Sequence, residues 1–405
     1  MLNKNMVINA IWIILERFTV AFGTLFITIY TARYLGPEKS GLLFYFLSIG
    51  TAIVPFCQLG SQSLIFDKTI KNQAIGIRLL INSQKVRLLL YLISSAFIVI
   101  GHKMSGYESQ SIYFLVLVLI ACSFLCVDSY KPYYDAILKS KFNTITSQLG
   151  MLAAHLTRLL LIYLKLPLLF FSIPYIINYS IPFFIKRNRF KKENNIYAVY
   201  NKKRFVRYSI VSGIPLAISA ASVAIYLKIN QVLLGNLLDM KSVGIYSAAV
   251  TIAQSWIFLP IALMTVLLTK LIGNENKLKY IYILCSIVSF LVVFAIVFLK
   301  EYLIDFSYGS EFTKAQELLL CLSIASFFSV LGTINNRIMI NKSGFRFILI
   351  KSILLIFVSP IASYLFIKTY GIYGAAYFML FIEFFSSIII DSFYRKGYFI
   401  RMQIK

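Results

Sequence analysis

The chain has 405 residues, 59% hydrophobic and 14% charged, with a mean hydropathy of +0.80 and a formal net charge of +25 at pH 7. An ordinary soluble domain is roughly one quarter charged, so this composition excludes a soluble globule. The apolar residues come in runs of about 20, the length that crosses a hydrocarbon layer of roughly 30 Å at about 1.5 Å per residue. The alternating segments of about 10 residues that build a membrane barrel do not occur, so the expected class is an all-α polytopic membrane protein.

The first run extends from about Val7 to Tyr30 and carries Glu16 and Arg17 near its middle. It lacks the short apolar core and cleavage site of a secretory leader, so it reads as a first span. Residues 32–41, ARYLGPEKSG, then turn the chain at Gly36-Pro37, because glycine tolerates any φ and proline cannot continue a helix. The second span is expected at 41–61, a short third at 86–101, a long fourth at 112–138, and the next two at 142–164 and 166–185. Residues 62–85 are amphipathic enough to lie on the membrane surface. The basic segment 186–207, KRNRFKKENNIYAVYNKKRFVR, is the longest polar stretch and a natural linker, expected to meet anionic headgroups. Six more spans follow at 208–235, 243–268, 280–299, 314–341, 345–367 and 371–394, making about 12 transmembrane helices.

With the N-terminus cytoplasmic, about 26 Lys and Arg fall on the inner side against about 8 outside, which orients the chain with both termini cytoplasmic. Lys68, Lys71, Arg78, Lys85, Arg87 and Lys186 all count among the inner-loop charges. The basic excess then needs no nucleic acid partner. The outer loops are all short. An N-terminal six-helix lobe at 1–186, a basic linker at 187–207 and a C-terminal six-helix lobe at 208–405 are expected. The five cysteines all lie in apolar segments and read as free buried thiols, and two histidines are too few for a His-rich metal site.

The halves resemble each other at an offset of 203 residues. LGPEKSGL (35–42) falls on LDMKSVGI (238–245), matching Gly41 with Gly244. SGYES (105–109) falls on YGSEF (308–312), matching Gly106 with Gly309, and ILKSKF (137–142) on INKSGF (340–345). Three matches at one offset, all in corresponding loops, point to a duplication. Six spans per half is an even number, so the repeats are parallel, related by an axis along the membrane normal. Two such bundles facing each other suit alternating access.

Ionisable residues within spans are costly and mark cavities or internal pairs. Asp128, Lys131 and Asp135 are spaced i, i+3, i+7 in the fourth span, where Lys131 can neutralise either acid. Arg158 shares a stripe with Gln148 and His155, Lys228 stands beside Asn230, Arg337 ends the tenth span, and Glu383 lies in the twelfth. Arg17, Arg158 and Lys228, and less directly Lys131 and Arg337, are the candidate substrate-binding residues, because a cationic cavity suits an anionic substrate. Glu16, Asp128, Asp135 and Glu383 are the candidates for ion coupling or charge balance. No GxxxxGK[ST] phosphate loop occurs, so ATP hydrolysis by this chain is not expected. No metal or organic cofactor is expected, only H+ or Na+ as a coupling ion.

The first span with Asn9 and Trp12 followed by ARYLGPEKSG, then LGNLLDMKSVGIYSAA (234–249), FSYGSEFTKAQELL (306–319) and GIYGAAYFML (371–380), resemble in order the Wzx-type polysaccharide flippases. These belong to the multidrug/oligosaccharidyl-lipid/polysaccharide exporter superfamily. The resemblance implies two six-helix lobes in a V, like the fold of multidrug exporters. It also implies flipping of an undecaprenyl-diphosphate-linked oligosaccharide, an O-antigen or capsule unit, across a bacterial inner membrane by proton or Na+ antiport. The implied partners are that lipid-linked substrate, membrane lipids and other polysaccharide assembly proteins, with the chain itself a monomer and not an enzyme. The rival readings are a small-molecule exporter on the same scaffold, which the cationic interior opposes, and a membrane polymerase or acyltransferase, for which a sizeable outer loop is lacking.

Overall fold

The computed structural model describes residues 4–106, 109–194, 203–271, 275–395 and 397–399, with side chains described except at 4–22, 265–271, 275–278 and 281. Among the described residues every regular element is helical. The backbone of a membrane span must satisfy its own hydrogen bonds, and a helix does so within one segment. The helices are α1 (Lys4–Cys57), α2 (Ser61–Lys71), α3 (Gln73–Met104), α4 (Ser109–Val127), α5 (Tyr130–Ala136), α6 (Ser140–Tyr163), α7 (Ile173–Glu193) and α8 (Lys203–Leu237). They continue as α9 (Met240–Gln254), α10 (Phe258–Leu271), α11 (Glu275–Phe298), α12 (Lys300–Ser307), α13 (Ala315–Asn341), α14 (Phe345–Tyr370) and α15 (Ile372–Phe384), which runs on through a π turn at Phe385–Ile390.

Each expected span falls in helix. Ten stretches among the described residues are long and apolar enough to cross a membrane, eleven when the pair Tyr282–Phe298 and Lys300–Ser307, bent by 70°, is taken as one. The expected first two spans form one helix broken only at Gly36, whose φ of 74° and ψ of 170° only glycine adopts without strain. Large apolar side chains such as Phe97, Phe290, Phe298 and Phe357 are more than 60% exposed along these helices, as lipid-facing residues are. The chain is a multi-pass membrane protein.

Two expectations about span limits are corrected. The third span is a helix of 32 residues, begun by Asn72, whose side chain accepts the Ile75 N–H at 3.2 Å. It carries Arg87 fully buried, so Arg87 is not a loop charge. Residues 62–85 therefore divide between the short α2 and the start of α3. The fourth span is not one continuous helix. It breaks at Asp128-Ser129, where Asp128 Oδ1 accepts the Tyr130 N–H at 3.2 Å and α5 begins.

Residues 1–20 and 46–225 form one compact unit, and 21–45 with 226–405 form the other, so α1 and α8 each contribute to both. In the first unit α7 packs on α4 and α6. An aromatic cluster of Tyr130, Tyr133, Tyr134, Phe183 and Phe190 closes the end where α7 leaves, with Phe205 of α8 against it. In the second unit α13 packs on α9, α11 and α15.

The second unit also brings together segments that the 203-residue offset equates. A Cβ on Gly41 would collide with the Met240 carbonyl oxygen, and one on Gly244 with the Pro37 carbonyl oxygen. Residues 37 and 41 match 240 and 244 at that offset, so the contact is locally two-fold. Gly106 and Gly309, another matched pair, both take positive φ, 76° and 87°. Arg33 of the first turn donates to the Phe306 carbonyl at 3.1 Å, which joins two of the motifs named above.

Gly41→Leu is expected to destabilise the purified protein by about 3 kcal/mol through overpacking against backbone. Gly101→Ala, with no neighbour within 4 Å of the added carbon, should leave the thermal midpoint in the same detergent unchanged or slightly raised.

Candidate functional site

Lys228 and Gln231 stand three residues apart on α8, so they share a face, as do Ser247, Thr251 and Gln254 on α9, with Ser255 just past its end, and Thr24 and Thr28 on α1. These three stripes line a cavity of about 340 Å³ in the second unit, with Phe44 and Phe258 as its aromatic members. Gln231 Nε2 donates to Ser247 Oγ at 2.9 Å, and Thr251 Oγ1 donates to the Ser247 carbonyl at 2.7 Å, which fixes the wall. Among the described residues no Asp or Glu lines the cavity. The Lys228 ammonium makes no ion pair or hydrogen bond with a described residue, so its positive charge faces hydroxyls and amides. Such a surface can hold an anion through charge and a polyol through hydrogen bonds.

Asn230, the neighbour of Lys228, turns away from the cavity. It donates to Tyr246 Oη at 2.7 Å and to the Ala375 carbonyl at 2.9 Å, and accepts from Ser363 at 2.7 Å. It ties α8 to α9, α14 and α15, whereas Lys228 faces the cavity.

The other sequence candidates occupy different environments. Arg158, buried on α6 in the first unit, lies 3.1 Å from His155 Nδ1 and 4.6 Å above the Tyr175 ring, with no carboxylate partner among the described residues. Asp128 pairs with Lys186 of α7, across the bundle. The helix break after Asp128 removes the single face on which Asp128, Lys131 and Asp135 were expected to align. Asp135 accepts instead from Ser140 at 2.5 Å and Asn143 at 2.8 Å, and Asn143 also bonds the Lys131 carbonyl. Glu383 is buried in the second unit beside Ser329, with Oε1 unbonded. Arg337 is exposed near the end of α13. Glu16 and Arg17 lie on α1, outside the described side chains.

Several polar residues escaped the sequence reading. Lys186 is a buried partner of Asp128, not a linker charge, because α7 continues to Glu193. Glu193 itself accepts from Lys139 at 3.0 Å and Arg189 at 2.9 Å, so the start of the expected linker is folded onto the first unit. In the second unit Lys351 and Asp391 form a buried pair at 2.6 Å, and Asn335 donates to Asp391 at 3.0 Å and to the Ser387 carbonyl at 3.0 Å. Arg87 Nη1 donates to Ser61 Oγ at 3.1 Å while Nη2 is unbonded. The rule that singled out Lys228 applies equally to Lys351 and Asp391, both inside expected spans. The hydroxyl and amide stripes around Lys228 were readable from their i, i+3, i+4 spacing.

The description "polysaccharide biosynthesis protein" is that of the family whose model matches residues 6–268. The capsular polysaccharide biosynthesis protein CapF of Staphylococcus aureus is 27% identical over 256 residues, 58% of this chain and 61% of that protein, so the match spans about three fifths of that relative. Among solved structures, the lipid II flippase MurJ in an inward closed conformation superposes with a TM-score of 0.76 at 13% identity, covering 96% of this chain and 89% of that one. An inward-facing multidrug resistance transporter of the MATE family gives 0.67 at 15% identity, covering 96% and 98%. The fold is the one these transporters share.

Removing one partner of the Lys351–Asp391 pair strands a buried charge. Lys351→Met and Asp391→Asn are each expected to cost about 3–5 kcal/mol. The double variant should cost at least about 1 kcal/mol less than the two together, read as thermal unfolding in a double-mutant cycle.

Proposed function

The chain belongs to the polysaccharide biosynthesis protein family, and from that premise we propose that it flips an undecaprenyl-diphosphate-linked oligosaccharide unit across the bacterial cytoplasmic membrane. The observation that carries this reading is the Lys228 cavity, whose ammonium has no ion-pair partner among the described residues and whose described lining offers hydroxyls and amides and no carboxylate. The ammonium offers three donors to the diphosphate oxygens. Gln254 and the Ser and Thr hydroxyls offer donors and acceptors to sugar hydroxyls, and Phe44 and Phe258 offer faces for the apolar side of a sugar ring. In the first unit Arg158, held by a histidine nitrogen and a tyrosine ring, is a further buried cation without an acid partner among the described residues. A lipid-linked diphosphate is the substrate class that needs an anion seat and a polyol surface together.

The transport cycle we propose is alternating access by two six-helix lobes joined through the basic linker 187–207, with both termini on the cytoplasmic side. Glu383, buried with one oxygen unbonded, is the group we assign to coupling with H+ or Na+. A cargo of small cations is disfavoured, since Lys228 would repel it. The proposed role is transport without covalent chemistry.

Lys228→Ala is expected to lower flipping of a fluorescent lipid-diphosphate oligosaccharide in liposomes by about tenfold to a hundredfold, the worth of one hydrogen bond to a charged group. Lys228→Arg should keep most of the rate. Full activity of the alanine variant, or a selective change in efflux of cationic dyes, would remove the cavity from the pathway.

A further inference from the structure

A second cavity, of about 450 Å³, lies in the first unit where α2 ends and α3 and α8 begin. Three cations line it, Lys68 of α2, Arg78 of α3 and Arg204 of α8, and its floor is apolar, with Leu79 and Phe205. Among the described residues no acid lines it, and the nearest in sequence, Asp67, is exposed on α2 outside the cavity. The Lys68 ammonium sits 5.1 Å above the Tyr208 ring, an arrangement that holds a cation without neutralising it. Arg78 and Arg204 make no ion pair with a described residue. Three like charges around one basin repel each other, and an anion shared among them relieves that repulsion.

The position in the membrane narrows what that anion is. The stretches Gln73–Met104 and Lys203–Leu237 both have the length and apolarity of membrane spans, and Arg78 and Arg204 lie within the first two turns of each. The basin is therefore at headgroup depth. Arg204, Tyr208 and Val211 repeat at i, i+4 and i+7, so one stripe of α8 passes from guanidinium to phenol to an aliphatic side chain that is 65% exposed. Ile214 continues the exposed apolar surface at 45%. Cations at the rim, an apolar floor and an apolar track leading inward match a molecule with a phosphate at one end and a hydrocarbon chain at the other.

We propose that this basin is a binding site for a lipid-borne phosphate, with the phosphate among Lys68, Arg78 and Arg204 and the chain leaving along α8. The shared chemistry has two sources, an anionic phospholipid of the surrounding bilayer or the diphosphate of a polyprenyl-linked substrate. The site is separate from the Lys228 cavity, which lies in the other compact unit.

The test uses the full chain in phosphatidylcholine nanodiscs that carry either phosphatidylglycerol or a polyprenyl diphosphate, each with a diazirine near its headgroup. Photo-crosslinks are mapped by peptide, and none of the readouts depends on transport. Crosslinks in the wild type are expected within 68–79 and 203–211. R78Q/R204Q should reduce their yield at subsaturating lipid by about thirtyfold, the combined effect of two basic residues near a lipid phosphate. R78K/R204K should retain most of it. Labelling by phosphatidylglycerol alone assigns the seat to bilayer lipid, labelling by polyprenyl diphosphate alone assigns it to substrate, and labelling by both defines a general lipid-phosphate seat. The proposal is overturned if neither lipid marks these peptides in the wild type, or if the charge-neutral variant is marked as strongly. It is also overturned if millimolar inorganic phosphate displaces the crosslinks as well as unlabelled lipid does.

Discussion

A charge carried into hydrocarbon must find a partner inside the protein or a cavity that hydrates it, and both compact units are arranged around that requirement. In the first unit Lys186 of α7 reaches Asp128 at the α4–α5 break. In the second, Asp391, just past the π turn that follows α15, reaches Lys351 of α14 and is held by Asn335 of α13. In each unit the ion pair fastens a late helix to earlier ones. The polarity is reversed, since α7 supplies the cation in one and the segment after α15 supplies the acid in the other. The π turn shifts the backbone register just before Asp391, and the Ser387 carbonyl within it accepts from Asn335.

Lys228 differs from these pairs in one respect, and the functional reading turns on it. Among the described residues its surroundings are hydroxyls, amides and apolar side chains without an acid. An acid in that wall would have made Lys228 a third structural latch. With this described lining, the ammonium keeps its electrostatic demand for whatever enters the cavity. Arg158 follows the same pattern with different partners, a ring nitrogen and an aromatic face. Neutral partners orient a cation while leaving most of its charge available, which is the condition for binding an anion that must later leave.

Glycine spacing and loop motifs exposed more of the fold than the charges did. The apolar runs located the long helices because length and hydropathy are local properties. The match of Gly41 with Gly244 was visible at one sequence offset, and the structure gives it a physical cause, since each glycine lets a carbonyl from the other segment approach its Cα. A backbone contact of this closeness tolerates no side chain, so the spacing survives in both copies as a readable mark.

Pairing of charges was legible only in part, because a partner on another helix leaves no trace in spacing. Asp128, Lys131 and Asp135 looked like one face only so long as the helix was assumed continuous. At the Asp128-Ser129 break one Asp128 oxygen accepts the Tyr130 N–H while the other accepts from Lys186 of α7. Arg87 and Lys186 were read as loop charges for a related reason. A charge in a hydropathy profile marks the end of a span, whereas in a folded bundle a charge with an internal partner lets the helix continue past it. The same logic hid the basin at Lys68, Arg78 and Arg204. Arg204 lies more than one hundred residues from Lys68 and Arg78 in the chain, and each alone is an ordinary basic residue near a helix end. Only the packing of α2, α3 and α8 turns three such ends into one seat.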